Sequence, residues 1–286
     1  MKNFSNMQAC WADVSSELKC PDEPAPKIYT PCPLAAELIV RNIREIVLCR
    51  IMGYSGMGNI KNKFVECYEV LNDEVARALP ELSAEDVDKC YTAKFLSAIP
   101  DIQREVEADA QAAYDGDPSI NDILEVATSI PSITAILHYR IARRMLLLGI
   151  PLLPRYLCYK AYCETGIDIH PGAQIGRSLF LDHGSGIVIG ETARVGDRVR
   201  IYQGVTLGSR SFPQDKDGKL LKGLQRHPVV GNNVVIYAGA TILGRICIGD
   251  NSVIGGNVWV TRSVAPNTRI AQPPYLKSEF AEGSGI

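Results

Sequence analysis

The sequence predicts an α+β chain in which a helical N-terminal half is followed by a parallel β-helix of hexapeptide repeats, one long inserted loop and a C-terminal tail. Three observations carry this. First, an aliphatic residue returns every sixth position: Ile169, Ile175 and Leu181, then, after two extra residues, Ile189, Val195, Ile201 and Leu207. Beyond an interruption the beat resumes at Val230, Ile236, Ile242, Ile248, Ile254 and Val260. A period of six fits neither the ~3.6 of a helix nor hairpin alternation, and it is the signature of a β-helix whose aliphatic positions point into a prism. Second, apolar residues upstream fall at three-and-four spacing. Third, the interruption, Ser209 to Gln225, is rich in polar residues and sits inside one coil. Gly176, Gly190, Gly196, Gly231, Asn232, Gly249 and Gly255 follow the beat, where tight corners are expected to require unusual backbone angles.

Residues 1–33 read as an arm, with five prolines between Pro21 and Pro33 and little periodicity. Residues 34–166 read as the helical domain. Leu34, Leu38, Ile39, Ile43, Ile46 and Val47 make one stripe of a helix from Pro33 to about Met52. Gly53, Gly56 and Gly58 form a helix-to-helix turn, since no strand precedes them and no phosphate-binding Gly-Lys-Ser/Thr follows. A second helix spans about Lys61 to Ala78, and a third starts after Ser83, whose hydroxyl caps it. An acidic helix covers Asp101 to Tyr114, a turn at Asp115-Gly116-Asp117-Pro118 leads into a helix from Ser119, and helices at Ser132–Leu148 and Leu152–Thr165 reach the first coil. Residues 167–270 form the β-helix and 271–286 a tail.

With 286 residues, 46% hydrophobic and 22% charged, the chain is long enough for two cores. A net charge of −2 and no polybasic run argue against nucleic acid and membrane surfaces as partners. The opening residues lack an apolar signal core, and the greasiest stretch, Met145 to Leu153, is too short to span a bilayer, so a cytoplasmic location is expected. Nine cysteines without a CxxC pair read as free thiols, most of them small buried hydrophobes or residues of the arm.

Motifs inserted in the repeat narrow the reading. Asp168-Ile169-His170-Pro171 opens the first coil, Leu181-Asp182-His183-Gly184-Ser185-Gly186 follows, and Arg226-His227-Pro228 closes the interruption. With Asp117-Pro118 upstream and the terminal Ser284-Gly285-Ile286, this set closely resembles the serine O-acetyltransferases over roughly residues 85–270 plus the last residue. The resemblance implies a left-handed β-helix, against the usual right-handed crossover. It also implies transfer of acetyl from acetyl-CoA, a co-substrate rather than a resident cofactor, to L-serine in cysteine synthesis.

Serine's hydroxyl needs a base as it attacks the thioester, and a histidine of pKa ~6.5 is suited to that, with a typical worth of ~10² to 10⁴ in rate. Positions a coil apart stack, so Asp168 and His183 fall on neighbouring rungs, as a dyad in which Asp168 orients the imidazole and His183 takes the proton. An amino-acid zwitterion needs acids for its ammonium, here Asp182 and, as the resemblance implies, Asp117, which by itself reads as a turn former, and a cation for its carboxylate, here the fork of Arg226. His227 beside it would steady the carboxylate or the oxyanion.

The family further implies a homotrimer or dimer of trimers with the site between subunits. Coenzyme A would lie along the groove against Ser209, Ala238 and Gly256, Ser209 standing where a glycine is usual. Feedback inhibition by L-cysteine and binding of cysteine synthase through Ile286 are also implied. A metal is not expected, because His170, His183 and His227 lack a close His-x4-His pair. A partial calcium-loop pattern at Asp215-Lys216-Asp217-Gly218 lacks its remaining ligands. The rivals are an acetyltransferase for a sugar or antibiotic hydroxyl, which would need neither Asp117 nor Arg226, and a non-catalytic regulator of cysteine synthase.

Overall fold

A computed structural model of the chain describes residues 29–53 and 56–273. The arm before Tyr29, with Cys10 and Cys20, and the tail beyond Pro273, with Ile286, lie outside the described residues.

Helix α1 (Pro33–Val47) buries Ala36, Ile39, Val40, Ile43, Ile46 and Val47 along one stripe. It stops short of Met52, and Leu34 is exposed rather than part of that stripe. Helix α2 (Met57–Ala78) begins one turn earlier than the periodicity suggests. The Ser83 hydroxyl caps α3 (Ala84–Val87) by accepting the Asp86 amide at 3.1 Å. A π-helical turn over Asp88–Thr92 then passes into α4 (Ala93–Ser97). Helix α5 (Ile99–Gly116) carries Pro100 in its first turn, where the missing amide costs nothing.

No helix starts at Ser119. The Asp117 carboxylate accepts both the Ser119 amide and hydroxyl, at 2.9 and 2.7 Å, which holds a turn until Asp122 caps α6 (Ile123–Ser129). Helices α7 (Pro131–Leu147) and α8 (Leu153–Thr165) follow, α8 ending on the left-handed Gly166.

Among the described residues fourteen short strands then wind into three parallel sheets. The first sheet stacks β1 (Asp168–Ile169), β4 (Val188–Ile189), β7 (Thr206–Gly208), β10 (Thr241–Leu243) and β13 (Trp259–Val260). The second stacks β2 (Gln174–Ile175), β5 (Arg194–Val195), β8 (Val229–Val230) and β11 (Cys247–Ile248). The third stacks β3 (Phe180–Asp182), β6 (Arg200–Tyr202), β9 (Val235–Ile236), β12 (Val253–Ile254) and β14 (Arg269–Ile270). Of the predicted inward positions only Ile175 is half-buried; the other twelve are buried in one continuous core. The six-residue beat is therefore the core of the prism.

The corner glycines have a different cause from the expected one. Gly176, Gly190, Gly196, Gly231, Gly249 and Gly255 are not in the left-handed region. They permit close approach of the neighbouring rung: a Cβ on Gly176 would stand 2.3 Å from Asp197 Oδ1. At the corner between the second and third sheets, which holds Gly176, Gly196, Gly231 and Gly249, the left-handed turn falls on Ser178, Arg198, Asn233, Asn251 and Asn267 instead. Asparagine tolerates this conformation, and the three form a ladder, with Nδ2 of Asn233 donating to Asn251 at 2.9 Å and that of Asn251 to Asn267 at 3.1 Å.

Helix α7 closes the open end of the prism. Ala135, Ile136 and Tyr139 join its core, and the Tyr139 hydroxyl donates to Ala173 O at 2.8 Å and accepts the Ile175 amide at 3.2 Å, so two edge groups of the first rung are met by this helix. His138 on the same helix is buried, with Nδ1 bonded to Thr134 O at 2.8 Å. Arg140 forks onto Asp109 of α5 at 3.0 and 3.1 Å and also donates to Ile175 O at 2.9 Å and Gly176 O at 2.5 Å.

Among the described cysteines only Cys67 and Cys158 are buried, and burial pushes both thiols up to about 12. Cys90, Cys163 and Cys247 are exposed, so burial accounts for fewer of them than expected. Among the described residues no helix is long and apolar enough to cross a membrane.

Candidate active site

The predicted site residues occupy two different corners of the prism. At the first, between the third and first sheets, β3 ends at Asp182 and the chain turns through His183, Gly184 and Gly186, all with positive φ. His183 is thus a side chain held on a left-handed backbone and presented to solvent, with 71% of it exposed. Asp182 is buried beneath it, Oδ1 lying 3.8 Å from His183 Nε2 and Oδ2 3.5 Å from Arg200. Arg200 stacks on Phe180 at 4.6 Å and donates to Gly116 O, the residue before Asp117. One guanidinium therefore ties Asp182 to the turn that carries Asp117.

The hydrogen bonds from Ser119 hold the Asp117 carboxyl below the usual range, and the charges of His183 and Arg200 act in the same direction. Two carboxylates and one histidine thus gather at this corner. Asp168 opens β1 beside the same corner, but its carboxylate lies 3.8 Å from Arg155 of α8. No hydrogen bond joins Asp168 to His183; among the described residues the carboxylate within 4 Å of the ring is Asp182, at 3.8 Å.

At the second corner, between the first and second sheets, Arg226 and His227 return the chain to β8. Arg226 pairs with Glu191 at 2.8 Å. The His227 ring packs on Gly190, where a Cβ would stand 2.1 Å from Cδ2. Its Nδ1 faces the Thr192 amide at 3.1 Å and the Thr192 hydroxyl at 2.9 Å. Burial, with Arg226 adding to it, pushes this imidazole down to about 4, so His227 is neutral near pH 7. His170 accepts the Gly172 amide on Nδ1 at 2.9 Å, and burial lowers its pKa also. The three histidines do not converge within one chain, since His183 stands on the other corner.

The residues expected to touch coenzyme A divide in the same way. Ala238 and Gly256 follow β9 and β12 on the His183 corner, stacked so that a Cβ on Gly256 would lie 3.2 Å from Ala238 O. Ser209 follows β7 on the Arg226 corner, its hydroxyl donating to Ser211 O at 2.7 Å. There it lines a cleft of about 280 Å³ with Arg210, Leu224, Arg226, Leu243 and Arg245. In the inserted loop Asp215 Oδ1 accepts the amides of Asp217 and Lys219, both at 2.9 Å. The loop's tip is polar, yet Phe212, Leu220, Leu221 and Leu224 on its flanks are exposed.

The pattern described as Bacterial transferase hexapeptide (six repeats) matches residues 227–262. The chain is 54% identical to "Serine acetyltransferase, plasmid" from Synechococcus elongatus over 268 residues, covering 87% of this chain and 84% of that one. The chain belongs to the serine acetyltransferase family. Its fold matches serine acetyltransferase 1 of Entamoeba histolytica in complex with L-cysteine at a TM-score of 0.74 and 31% identity, over 91% of this chain and 94% of that one. It also matches the Brucella abortus enzyme in complex with coenzyme A at 0.58 and 30%, over 82% and 93%.

Sequence reasoning missed Thr192, Glu191 and Arg245. Arg245 donates to Thr192 O at 2.8 Å and to His227 O at 3.0 Å. Glu191 and Thr192 follow a beat residue and its glycine, a position that reads as an ordinary turn. Only their closeness to residues 35 positions later reveals them.

Proposed function

We propose that this family member transfers the acetyl group of acetyl-CoA to the hydroxyl of L-serine at a site completed by two subunits. The observation that carries this is the division of the site: the base and two carboxylates lie on one corner of the prism, the carboxylate-binding Arg226 and His227 on another. One chain alone does not enclose a zwitterion with both sets, whereas packing the first corner of one copy against the second corner of its neighbour does so. A homotrimer provides that arrangement three times over and a dimer of trimers six times.

In this reading Asp117 and Asp182 receive the serine ammonium and Arg226 its carboxylate. His183 removes the hydroxyl proton as oxygen attacks the thioester carbon, and His227 donates to the carboxylate or the oxyanion. As the tetrahedral adduct collapses, the carbon–sulfur bond breaks and the proton on His183 passes to the coenzyme A thiolate. Asp168, opening β1 beside that corner, orients His183 once substrate and the neighbouring copy close the site; active-site hydrogen bonds are often long before substrate binds. Acetyl-CoA lies in the groove between neighbouring prisms against Ser209, Ala238 and Gly256. L-Cysteine, an amino acid of the same size and charge, competes at the serine site, and Ile286 engages cysteine synthase in the cytoplasm.

The test is coenzyme A release by purified protein with L-serine, homoserine, a sugar or no acceptor, for wild type and His183→Ala. Serine-dependent turnover that falls by about 10² to 10⁴ in a folded mutant supports both the reaction and the base. A folded wild type without serine-dependent turnover overturns the assignment.

A further inference from the structure

We propose that Thr192 is a positioning residue for this reaction, seating the Arg226–His227 pair and fixing His227 as a hydrogen-bond donor through Nε2. The inference rests on the reading of Arg226 and His227 as substrate-binding groups. Its basis is a saturated hydroxyl. Thr192 Oγ1 accepts the Arg226 amide at 3.0 Å and the His227 amide at 3.1 Å, and lies 2.9 Å from His227 Nδ1. A hydroxyl has two lone pairs and one hydrogen. With both lone pairs taken by amides, the hydrogen is what remains for Nδ1. The Thr192 amide independently donates to the same Nδ1 at 3.1 Å. A proton on Nδ1 would face donors from both directions, so the neutral ring carries its hydrogen on Nε2.

That nitrogen lies beside Gly190 and makes no hydrogen bond within the chain among the described residues. It is a donor held ready for a substrate oxygen. The low pKa of the ring agrees with this assignment.

The location explains why such a brace is needed. Register partners in the second sheet lie 35 residues apart across the inserted loop, against 18 in a regular coil, Arg194 pairing with Val229 and Val229 with Cys247. A long loop returning to a coil leaves its last residues without the rung that normally fixes them. Thr192 supplies the missing anchor from the coil below. Arg245 adds a second brace from the coil above, bonding Thr192 O and His227 O together.

The experiment compares Thr192→Val, which keeps the shape and loses the hydroxyl, with Thr192→Ser, which keeps the hydroxyl. Steady-state rates are measured against serine and acetyl-CoA separately from pH 5.5 to 8.5. Histidine side-chain nitrogens are read by NMR in protein labelled with 15N-histidine. The Val variant is expected to lose about 10- to 100-fold in kcat/KM for serine, with KM for acetyl-CoA little changed, and the Ser variant to stay within about threefold of wild type. The wild-type His227 signal is expected to show the Nε2–H form alone across that pH range, in the field of Arg226, Glu191, His170 and Arg245.

Equal losses in both variants, or none in the Val variant, would overturn the positioning role. A wild-type Nδ1–H signal would overturn it whatever the variants do, even if Thr192→Val does not fold. Absence of serine-dependent turnover in wild type would instead remove the underlying reading of the site, while the NMR result still decides the tautomer.

Discussion

Asp109→Asn is expected to loosen the joint between the helical half and the β-helix, and the structure sets the size of the effect. The Asp109 side chain is 0% exposed and that of Arg140 4%. Beyond their fork, Asp109 accepts the Leu179 amide at 2.8 Å, so the pair holds α5, α7 and the first coil in one network. An asparagine preserves shape and an acceptor but removes the counter-charge from a guanidinium that does not give up its proton. Breaking a buried pair from one side costs about 3–5 kcal/mol. Glu105 stands 3.8 Å from Arg140 and offsets part of this, which points to the lower end, about 3 kcal/mol. At roughly 2–4 °C per kcal/mol the melting temperature should fall by about 6–12 °C. Because α5 ends just before Asp117, kcat/KM for serine should fall with it. The assay is thermal unfolding followed by circular dichroism, beside coenzyme A release. The double variant Asp109→Leu/Arg140→Met should recover only part of the loss. It removes the unpaired charge yet strands the Leu179 amide and the Ile175 and Gly176 carbonyls, at about 1–3 kcal/mol for each group that stays dry. An Asp109→Asn protein melting within about 2 °C of wild type would refute the reasoning.

Two further outcomes follow from the second corner. Gly190→Ala places a methyl group 2.1 Å from His227 Cδ2, so the ring must leave its seat. Activity should fall by about 10²-fold while the melting temperature falls modestly, and an active Gly190→Ala enzyme would show that His227 need not sit there. The pH dependence of stability carries a definite sign. His227 has a folded pKa of about 4 against ~6.5 unfolded, so between these values the unfolded chain holds the proton. Its contribution is constant above pH ~6.5 and destabilises progressively as pH drops toward 4. Melting temperatures of wild type and His227→Gln should therefore converge as pH falls through that window; a constant difference would contradict the assignment.

The β-helix was legible because its core repeats in one dimension: a residue every six positions either fills the prism or breaks it, and no other fold asks for that period. The same one-dimensionality hid the reason for the glycines. Position after the beat looks like a turn in sequence, whereas in space it is where the next rung passes, and at the corner between the second and third sheets the left-handed residue comes two positions later, on Ser178, Arg198, Asn233, Asn251 and Asn267. The helical half was legible by its stripes, and its misread start at Ser119 came from Asp117, whose carboxylate spends itself on Ser119 and holds a turn where propensity allowed a helix.

What the sequence withheld was phase. Two extra residues in the first coil and the long insertion in the third decide which corner each motif occupies, and neither has a pattern that states it. The motifs name the chemistry of Asp182-His183 and Arg226-His227, but only the wound chain shows that they stand on different edges. Asp109 left a fainter trace, a charge on the apolar face of α5 among Ile102, Val106, Ala110 and Ala113. A carboxylate in such a stripe is stable only if a cation meets it there, and Arg140 comes from a helix 31 residues away. The long-range partners of Asp109 and of His227 obey one rule: a polar group on a buried position implies a partner that local sequence does not contain, and that partner is where the fold and the site are joined.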